Sequence, residues 1–139
     1  MMVQDIMSKK VYTVSPNESI LNVTRIMKEH NVGVVPVVED SNKVMGVITD
    51  RDIVLSIADF NFDMVNTEAL KLMSDKVYSV RPGADVKDAI ALMRKQQIRR
   101  LPVIEDDMLV GIISIGDIAV SKEFKAEIAE AICEISMNK

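Results

Sequence analysis

The chain has 139 residues, of which 48% are hydrophobic and only 4% aromatic, and it carries a formal net charge of −4. This length suits one compact domain, or two small units that share a core of aliphatic residues and methionine. The mild acidity argues against general nucleic-acid binding, which requires a basic surface. With a single cysteine, no secretion signal and no long apolar run, we expect a cytoplasmic protein that does not associate with membranes.

The sequence contains a tandem repeat. Of the 37 positions in residues 5–41, 12 are identical to the positions 66 residues later, and the offset falls to 65 after an acidic turn. Both copies begin with Met-Ser, continue with Val-Tyr-Thr/Ser-Val-x-Pro, and contain an apolar Pro-Val step followed by Glu-Asp. The repetition predicts two copies of one supersecondary unit that is too small to bury its own sheet.

Each copy predicts a short helical lead-in, an extended piece, a helix, two apolar strands around an acidic turn, and a second helix. In the first copy the lead-in is at 3–7, the extended piece at 11–14, the strands at 34–38 and 44–48, and the second helix at 52–58, with Ser19 capping the first helix. In the second copy they are at 69–73, 77–80, 101–104, 109–113 and 117–122, with Asp85 capping the first helix. The pattern is β-α-β-β-α in a mixed α/β (α+β) fold. The strands are almost continuously apolar, which is typical of burial on both faces, and Pro36 and Pro102 indicate an edge or a strand start.

The sequence divides into a first repeat at 1–60, a linker at 61–68, a second repeat at 69–123 and a C-terminal amphipathic helix at 124–139. We expect Phe60 and Phe62 to pack over the join between the repeats. The tail either closes the protein's own core or contacts a second copy or a partner. Its apolar stripe comprises Phe124, Ile128, Ala131, Ile132 and Ile135. Cys133 lies in the same helix, and we expect it in core or interface packing.

One motif recurs where a strand runs into a helix. It is Gly-Val-Ile-Thr-x-x-Asp at residues 46–52 and Gly-Ile-Ile-Ser-x-x-Asp at residues 111–117. The hydroxyl and the carboxylate three residues later fit a capping box, and they also fit a contact to a ligand. The glycines either let the backbone approach a flat base or relieve crowding in a tight strand.

These motifs resemble the CBS motif, named from cystathionine beta-synthase, and the tandem arrangement is similar to a Bateman module. The resemblance covers residues 4–122 and implies a pseudo-twofold pair with two clefts between the repeats. In that family the clefts bind adenosine-containing ligands, namely AMP, ADP, ATP or S-adenosylmethionine. No further cofactor is implied.

The resemblance also implies a role for each matching position. The aspartate holds the ribose hydroxyls, and the Thr or Ser with the helix start holds phosphate. The residues before the Pro-Val strand hold adenine, and the residues that open the first strand of each repeat close the pocket. The implied contacts are Lys10, Val11, Val32, Gly33, Val34, Pro36, Thr49, Arg51 and Asp52 in the first repeat, and Lys76, Val77, Ile98, Arg99, Arg100, Pro102, Ser114, Gly116 and Asp117 in the second.

The two copies differ in charge. Arg99 and Arg100 replace Gly33 and Val34, and they are either phosphate contacts or a solvated pair at a strand edge. Because neighbours on a strand point to opposite faces, the two arginines are not expected to serve one ligand equally. The resemblance implies that a basic residue at the Arg100 position reaches toward phosphate, so we favour Arg100. The only histidine, His30, is expected to end a helix rather than to act as a base or a metal ligand.

The sequence therefore predicts a regulatory, non-enzymatic module that binds an adenosine-containing ligand and acts through self-association or an unidentified effector protein. The alternative is a structural dimerisation or docking module with non-functional clefts. Since helices flanking such modules commonly pack against a second module, we expect a homodimer with four CBS motifs. We do not expect nucleic acid as a partner, and the sequence contains no nucleophile-elbow, Walker or dinucleotide signature.

Overall fold

The computed structural model describes residues 1–137 and contains two antiparallel hairpins flanked by helices. A 3-10 turn at Val3–Asp5 opens the chain. The helices are α1 (Ile20–His30), α2 (Asp50–Ser56), α3 (Ala69–Leu72), α4 (Val86–Gln96), α5 (Ile115–Ser121) and α6 (Lys125–Ser136). The strands are β1 (Val34–Val38) paired with β2 (Val44–Thr49), and β3 (Arg100–Glu105) paired with β4 (Met108–Ser114).

The chain forms two compact units that cut across the sequence repeats. One, the continuous unit, is Tyr12–Val77, and the other, the split unit, joins Met1–Val11 to Tyr78–Lys139. Val3, from the first lead-in, is buried in the core of the split unit. Ala69, from the second lead-in, is buried in the core of the continuous unit. Each lead-in therefore completes the core formed by the other repeat.

Helix starts follow the capping chemistry of the sequence. The Ser19 hydroxyl accepts a hydrogen bond from Asn22 N at 3.2 Å, and the Asp85 carboxylate accepts one from Lys87 N at 2.8 Å, which confirms both predicted caps,. The predicted starts of α2 and α5 at Asp52 and Asp117 are wrong by two residues. Both aspartates are the third residue of their helix because the capping hydroxyl lies three positions earlier,.

The predicted extended piece of each repeat is reduced to a one-residue parallel bridge, Val14 to Val37 and Val80 to Val103. Burial on both faces is found along β1, whereas β2 and β4 alternate between buried and half-buried residues. Pro36 lies inside β1, and its carbonyl accepts from Val14 N at 3.1 Å. Its ring nitrogen lies on that same edge, where only a single bridge forms, so the missing N–H leaves the β1–β2 ladder intact.

Gly46 and Gly111 allow the lead-in segments to approach the hairpins closely. A Cβ on Gly46 would lie 2.6 Å from the Ser74 carbonyl oxygen. A Cβ on Gly111 would lie 2.8 Å from both the Met7 sulfur and the Ser8 carbonyl oxygen. The space above each glycine is thus filled by backbone that pairs with the next strand residue, as at Val47 and Ser74. Of the two expectations, relief of crowding is the one these contacts support.

The tail helix α6 closes the core of the split unit. Phe124, Ile128 and Ala131 are buried in that core. Ile132 is 46% exposed and Cys133 is exposed, so the cysteine does not pack in the core, and its expected place in an interface stays a prediction. The expectation for Phe60 is also wrong because its ring is 94% exposed, whereas Phe62 packs against the core of the continuous unit. Residues 138 and 139 of the predicted tail lie outside the described residues.

Candidate functional site

Both strand-to-helix junctions form the same capping box. Thr49 N donates to Asp52 Oδ2 at 2.9 Å, and Asp52 N donates to Thr49 Oγ1 at 3.1 Å. In the split unit, Ser114 N donates to Asp117 Oδ2 at 2.8 Å, and Asp117 N donates to Ser114 Oγ at 3.1 Å. The bonds hold each carboxylate in a fixed orientation.

The capping box uses only one oxygen of each carboxylate. Within residues 1–137, Oδ1 of Asp52 and Oδ1 of Asp117 accept no hydrogen bond from the protein. Both aspartates are half-buried. An oriented carboxylate with one unused oxygen can accept hydrogen bonds from the hydroxyls of a sugar while the helix remains capped.

The lead-in segments reach the junctions from the other repeat. Ser8 and Ile112 exchange two backbone hydrogen bonds of 2.8 and 2.9 Å, and Val47 and Ser74 exchange two of 3.0 and 2.9 Å. Ile112 lies two residues before Ser114, and Val47 lies two residues before Thr49. The structure thus brings Lys10 and Val11 into the unit that contains the second junction, and Lys76 and Val77 into the unit that contains the first.

The strand openings lie beside the same junctions. Arg100 is the register partner of Ser114, and Val34 is the register partner of Thr49. Opposed residues in an antiparallel pair share one face of the sheet, so the Arg100 side chain and the capping hydroxyl of Ser114 lie on the same face. Ile115 N donates to the Arg99 carbonyl at 2.9 Å, as Asp50 N donates to the Gly33 carbonyl at 2.9 Å.

The positions named from the sequence fall into two equivalent sets, one in each compact unit. Val32 and Ile98 pack against the cores of their units, while Arg51 and Gly116 are exposed. The continuous unit contains Val32, Gly33, Val34, Pro36, Thr49, Arg51, Asp52, Lys76 and Val77, and the split unit contains Lys10, Val11, Ile98, Arg99, Arg100, Pro102, Ser114, Gly116 and Asp117. Their contact with a ligand stays a prediction.

An open groove of about 280 Å³ adjoins the second junction. It is lined by Asp117, by Val120 and Ser121 one turn further along α5, and by Ile6 of the lead-in. The sequence interpretation missed the last three residues. Their spacing from Asp117 places Val120 and Ser121 on the same helix face, but no sequence signal relates Ile6 to α5, because the pairing of lead-in and junction crosses the repeats.

The described residues show neither a metal cluster nor a membrane span. In residues 1–137, His, Cys, Asp and Glu nowhere form a group of three or more that could hold a metal ion. No helix in this part of the chain has the length and apolar character needed to cross a bilayer. His30 ends α1 as expected, and its ring stacks on Tyr12 with centroids 3.5 Å apart, a contact that the sequence did not indicate.

Comparison with known proteins shows which family the chain resembles. The CBS domain model matches residues 3–59 and 68–121. The chain is 40% identical over 134 residues to the CBS domain-containing protein YhcV of Bacillus subtilis, covering 96% of this chain and 94% of the relative.

Two solved structures share the fold. One is Hypoxic Response Protein I with two coordinated zinc ions, with a TM-score of 0.79 and 32% identity, covering 86% of this chain and 98% of that chain. The other is the CBS domain pair of protein MJ0100 in complex with 5′-methylthioadenosine and S-adenosyl-L-methionine, with a TM-score of 0.78 and 29% identity over 90% of this chain and 98% of that one. The chain belongs to the CBS domain family, as a tandem CBS pair that forms a regulatory module.

Proposed function

We propose that the protein is a non-enzymatic sensor that binds an adenosine-containing ligand, AMP, ADP, ATP or S-adenosylmethionine, at its two junctions. The observation that carries the proposal is the pair of half-buried, oriented carboxylates, each with one unused oxygen. The MJ0100 domain pair, which has the same fold, is described in complex with two adenosine derivatives, and this supports the same ligand class here.

We expect equivalent residues of the two sets to contact the same part of the ligand. Asp52 and Asp117 accept from the ribose hydroxyls through Oδ1. The backbone and apolar side chains before each Pro-Val strand, Val32 to Val34 and Ile98 to Arg100, contact adenine. Thr49 and Ser114 contact phosphate where the ligand has one. Lys10 with Val11, and Lys76 with Val77, close over the bound molecule.

Binding would act on the two points where the chain passes from one compact unit to the other. These points follow Val11 and Val77, which are residues of the closing segments. A ligand that orders these segments stabilises the conformation of the protein in which the closing segments can contact the ligand. The ligand can shift the population of conformations only by as much as its affinity for that conformation exceeds its affinity for the others.

Calorimetric titration with AMP, ADP, ATP, S-adenosylmethionine and 5′-methylthioadenosine tests the proposal. We expect at least one ligand to bind more tightly than millimolar. Asp52→Asn and Asp117→Asn should each abolish one site, because the amide oxygen replaces Oδ2 in the cap and leaves an NH₂ group facing the ribose hydroxyls. Asp59→Asn, in the exposed segment after α2, is the matched control. Binding no tighter than millimolar for all five ligands overturns the sensor function.

A dimerisation or docking function is the second candidate, and the exposed apolar residues near α2 favour it. Val54, Leu55 and Ile57 are each between 57% and 62% exposed, and Phe60 is 94% exposed. We expect this surface to join two copies into a homodimer with four CBS domains. Light scattering of the wild type and of Leu55→Lys tests this. A monomeric wild type at micromolar concentration contradicts the homodimer.

A further inference from the structure

We infer that the two sites select ligands of different charge. The split unit takes a phosphate-bearing adenosine ligand, and the continuous unit takes one without phosphate. This inference rests on the proposed function and concerns only which ligand each site prefers. It follows from how the equivalent charged positions of the two units differ.

The first difference lies at the strand openings. Arg99 and Arg100 are exposed, and within residues 1–137 neither has a carboxylate within salt-bridge distance. Arg100 stands on the same face as Ser114, its register partner. An unpaired guanidinium on the face of a capping hydroxyl offers several donors to a phosphate. The continuous unit has Gly33 and Val34 at these positions and can offer no side-chain donor there.

The second difference lies at the first helical residue. In the continuous unit this residue is Asp50, and its Oδ2 would be 3.1 Å from a Cβ built on Gly33. Asp50 Oδ1 also accepts from Arg51 N at 2.8 Å. The carboxylate therefore lies against Gly33, the residue that precedes β1. Its counterpart in the split unit is Ile115, which is half-buried and uncharged.

Together these differences give the sites opposite preferences. At its strand opening the split unit has Arg100 on the face of Ser114 and, among the described residues, no carboxylate besides the capping Asp117. The continuous unit has no arginine at that position, and Asp50 adds a second carboxylate to the capping Asp52. A phosphate gains charge-assisted hydrogen bonds in the first environment. In the second it meets the Asp50 carboxylate, whose repulsion disfavours an anion.

The test uses AMP as the anionic probe and 5′-methylthioadenosine as the uncharged probe, titrated calorimetrically into the full chain. With the split site disabled by Asp117→Asn, AMP affinity should fall and 5′-methylthioadenosine affinity should persist. With the continuous site disabled by Asp52→Asn, the reverse should hold. AMP binding to Asp52→Asn should also weaken as salt is raised, because exposed charges are screened.

Charge changes at exposed positions then test the stated cause. Arg100→Gln in the Asp52→Asn background should weaken AMP about tenfold or more and leave 5′-methylthioadenosine unaffected. Arg81→Gln, which removes another exposed arginine of the split unit, is the matched control and should change neither ligand. Asp50→Asn in the Asp117→Asn background should strengthen AMP.

The outcomes separate this inference from the proposed function. If neither probe binds the wild type, the adenosine sensor itself fails. If both probes bind but each site shows the same preference, or if Arg100→Gln leaves AMP affinity unchanged, the charge selection is overturned and the sensor stands. Thermal melting of every variant verifies folding, and Arg100→Gln should not alter stability because the side chain is exposed and unpaired.

Discussion

Helices α1 and α4 occupy equivalent positions in the two repeats but are buried to different extents. On α4, Ala89, Ile90 and Met93 are all buried, and Arg94 and the C-cap residue Gln97 bind the tail helix. The equivalents of Ile90 and Met93 on α1 are Thr24 and Met27, which are only half-buried. Lys28 and Asn31 stand at the positions of Arg94 and Gln97. The duplicated pattern thus supplies the same framework twice, and the appended helix α6 decides which copy acquires the larger core.

The largest expected effect on stability comes from removing a buried side chain that docks α6 on the core of the split unit. Ile128 is buried at 7% exposure against the core of the split unit. Ile128→Ala should lower the free energy of unfolding by about 2–5 kcal/mol because it leaves a cavity. Ile132→Ala, on the same helix but 46% exposed, is the matched control and should cost less than about 0.5 kcal/mol. Urea denaturation measures both, and equal losses would show that α6 is not docked as described.

A smaller loss of stability is expected at Gly46 and Gly111, because in both units backbone packs closely against the glycine. Gly46→Ala and Gly111→Ala should each cost about 1–3 kcal/mol, since the added methyl group meets backbone or sulfur at 2.6–2.8 Å,. Gly83→Ala is the control because nothing lies within 4 Å of its added Cβ. The measurement is the same denaturation midpoint. A stable Gly46→Ala variant would contradict the close approach of the Ser74 carbonyl.

The capping boxes should contribute equally in both units. Thr49→Ala and Ser114→Ala each remove a hydroxyl acceptor that receives the third helical N–H at 3.1 Å. We expect each to cost about 0.5–2 kcal/mol. Ser15→Ala, an exposed serine outside the helices, should be neutral. Thermal melts compare the three, and a clear loss in only one junction would break their equivalence.

The smallest effect depends on pH. Hydrogen bonds from Arg94 hold the pKa of Glu134 below its usual range, and those to Glu134 raise the pKa of Arg94. The Glu134 contribution is therefore complete above the usual carboxyl pKa and lost as the pH falls through the lowered one. Arg94→Gln should lower the melting temperature slightly at neutral pH and not in acid. Lys28→Gln, at the equivalent position of α1, should show no such dependence.

Much of the fold could be predicted because its causes are local. The repeat, the caps at Ser19 and Asp85, and the positions of the four strands follow from residue type and spacing. The predicted starts of α2 and α5 are two residues late because Asp52 and Asp117 are the third residues of the helices that Thr49 and Ser114 cap.

Other features depend on contacts that no local pattern encodes. The docking of α6, the exposure of Phe60 and the stacking of His30 on Tyr12 are set by tertiary packing. For the site, the sequence identified the junction residues but not which lead-in accompanies which junction. Ile6 beside Asp117 is the clearest example, because the two residues come from different repeats.

The exchange of lead-ins also has a consequence for the order of folding during synthesis. Every segment of the continuous unit has been translated once Val77 is made, so its contacts can form early. Val3 instead donates its backbone N–H to the Ala84 carbonyl and packs in a core that includes Phe124 and Ile128. The segment around Val3 must therefore remain unpaired until Ala84 has been made, and its core is complete only after Phe124 and Ile128 have followed,. We expect the split unit to be the later-folding and more aggregation-prone part of the nascent protein.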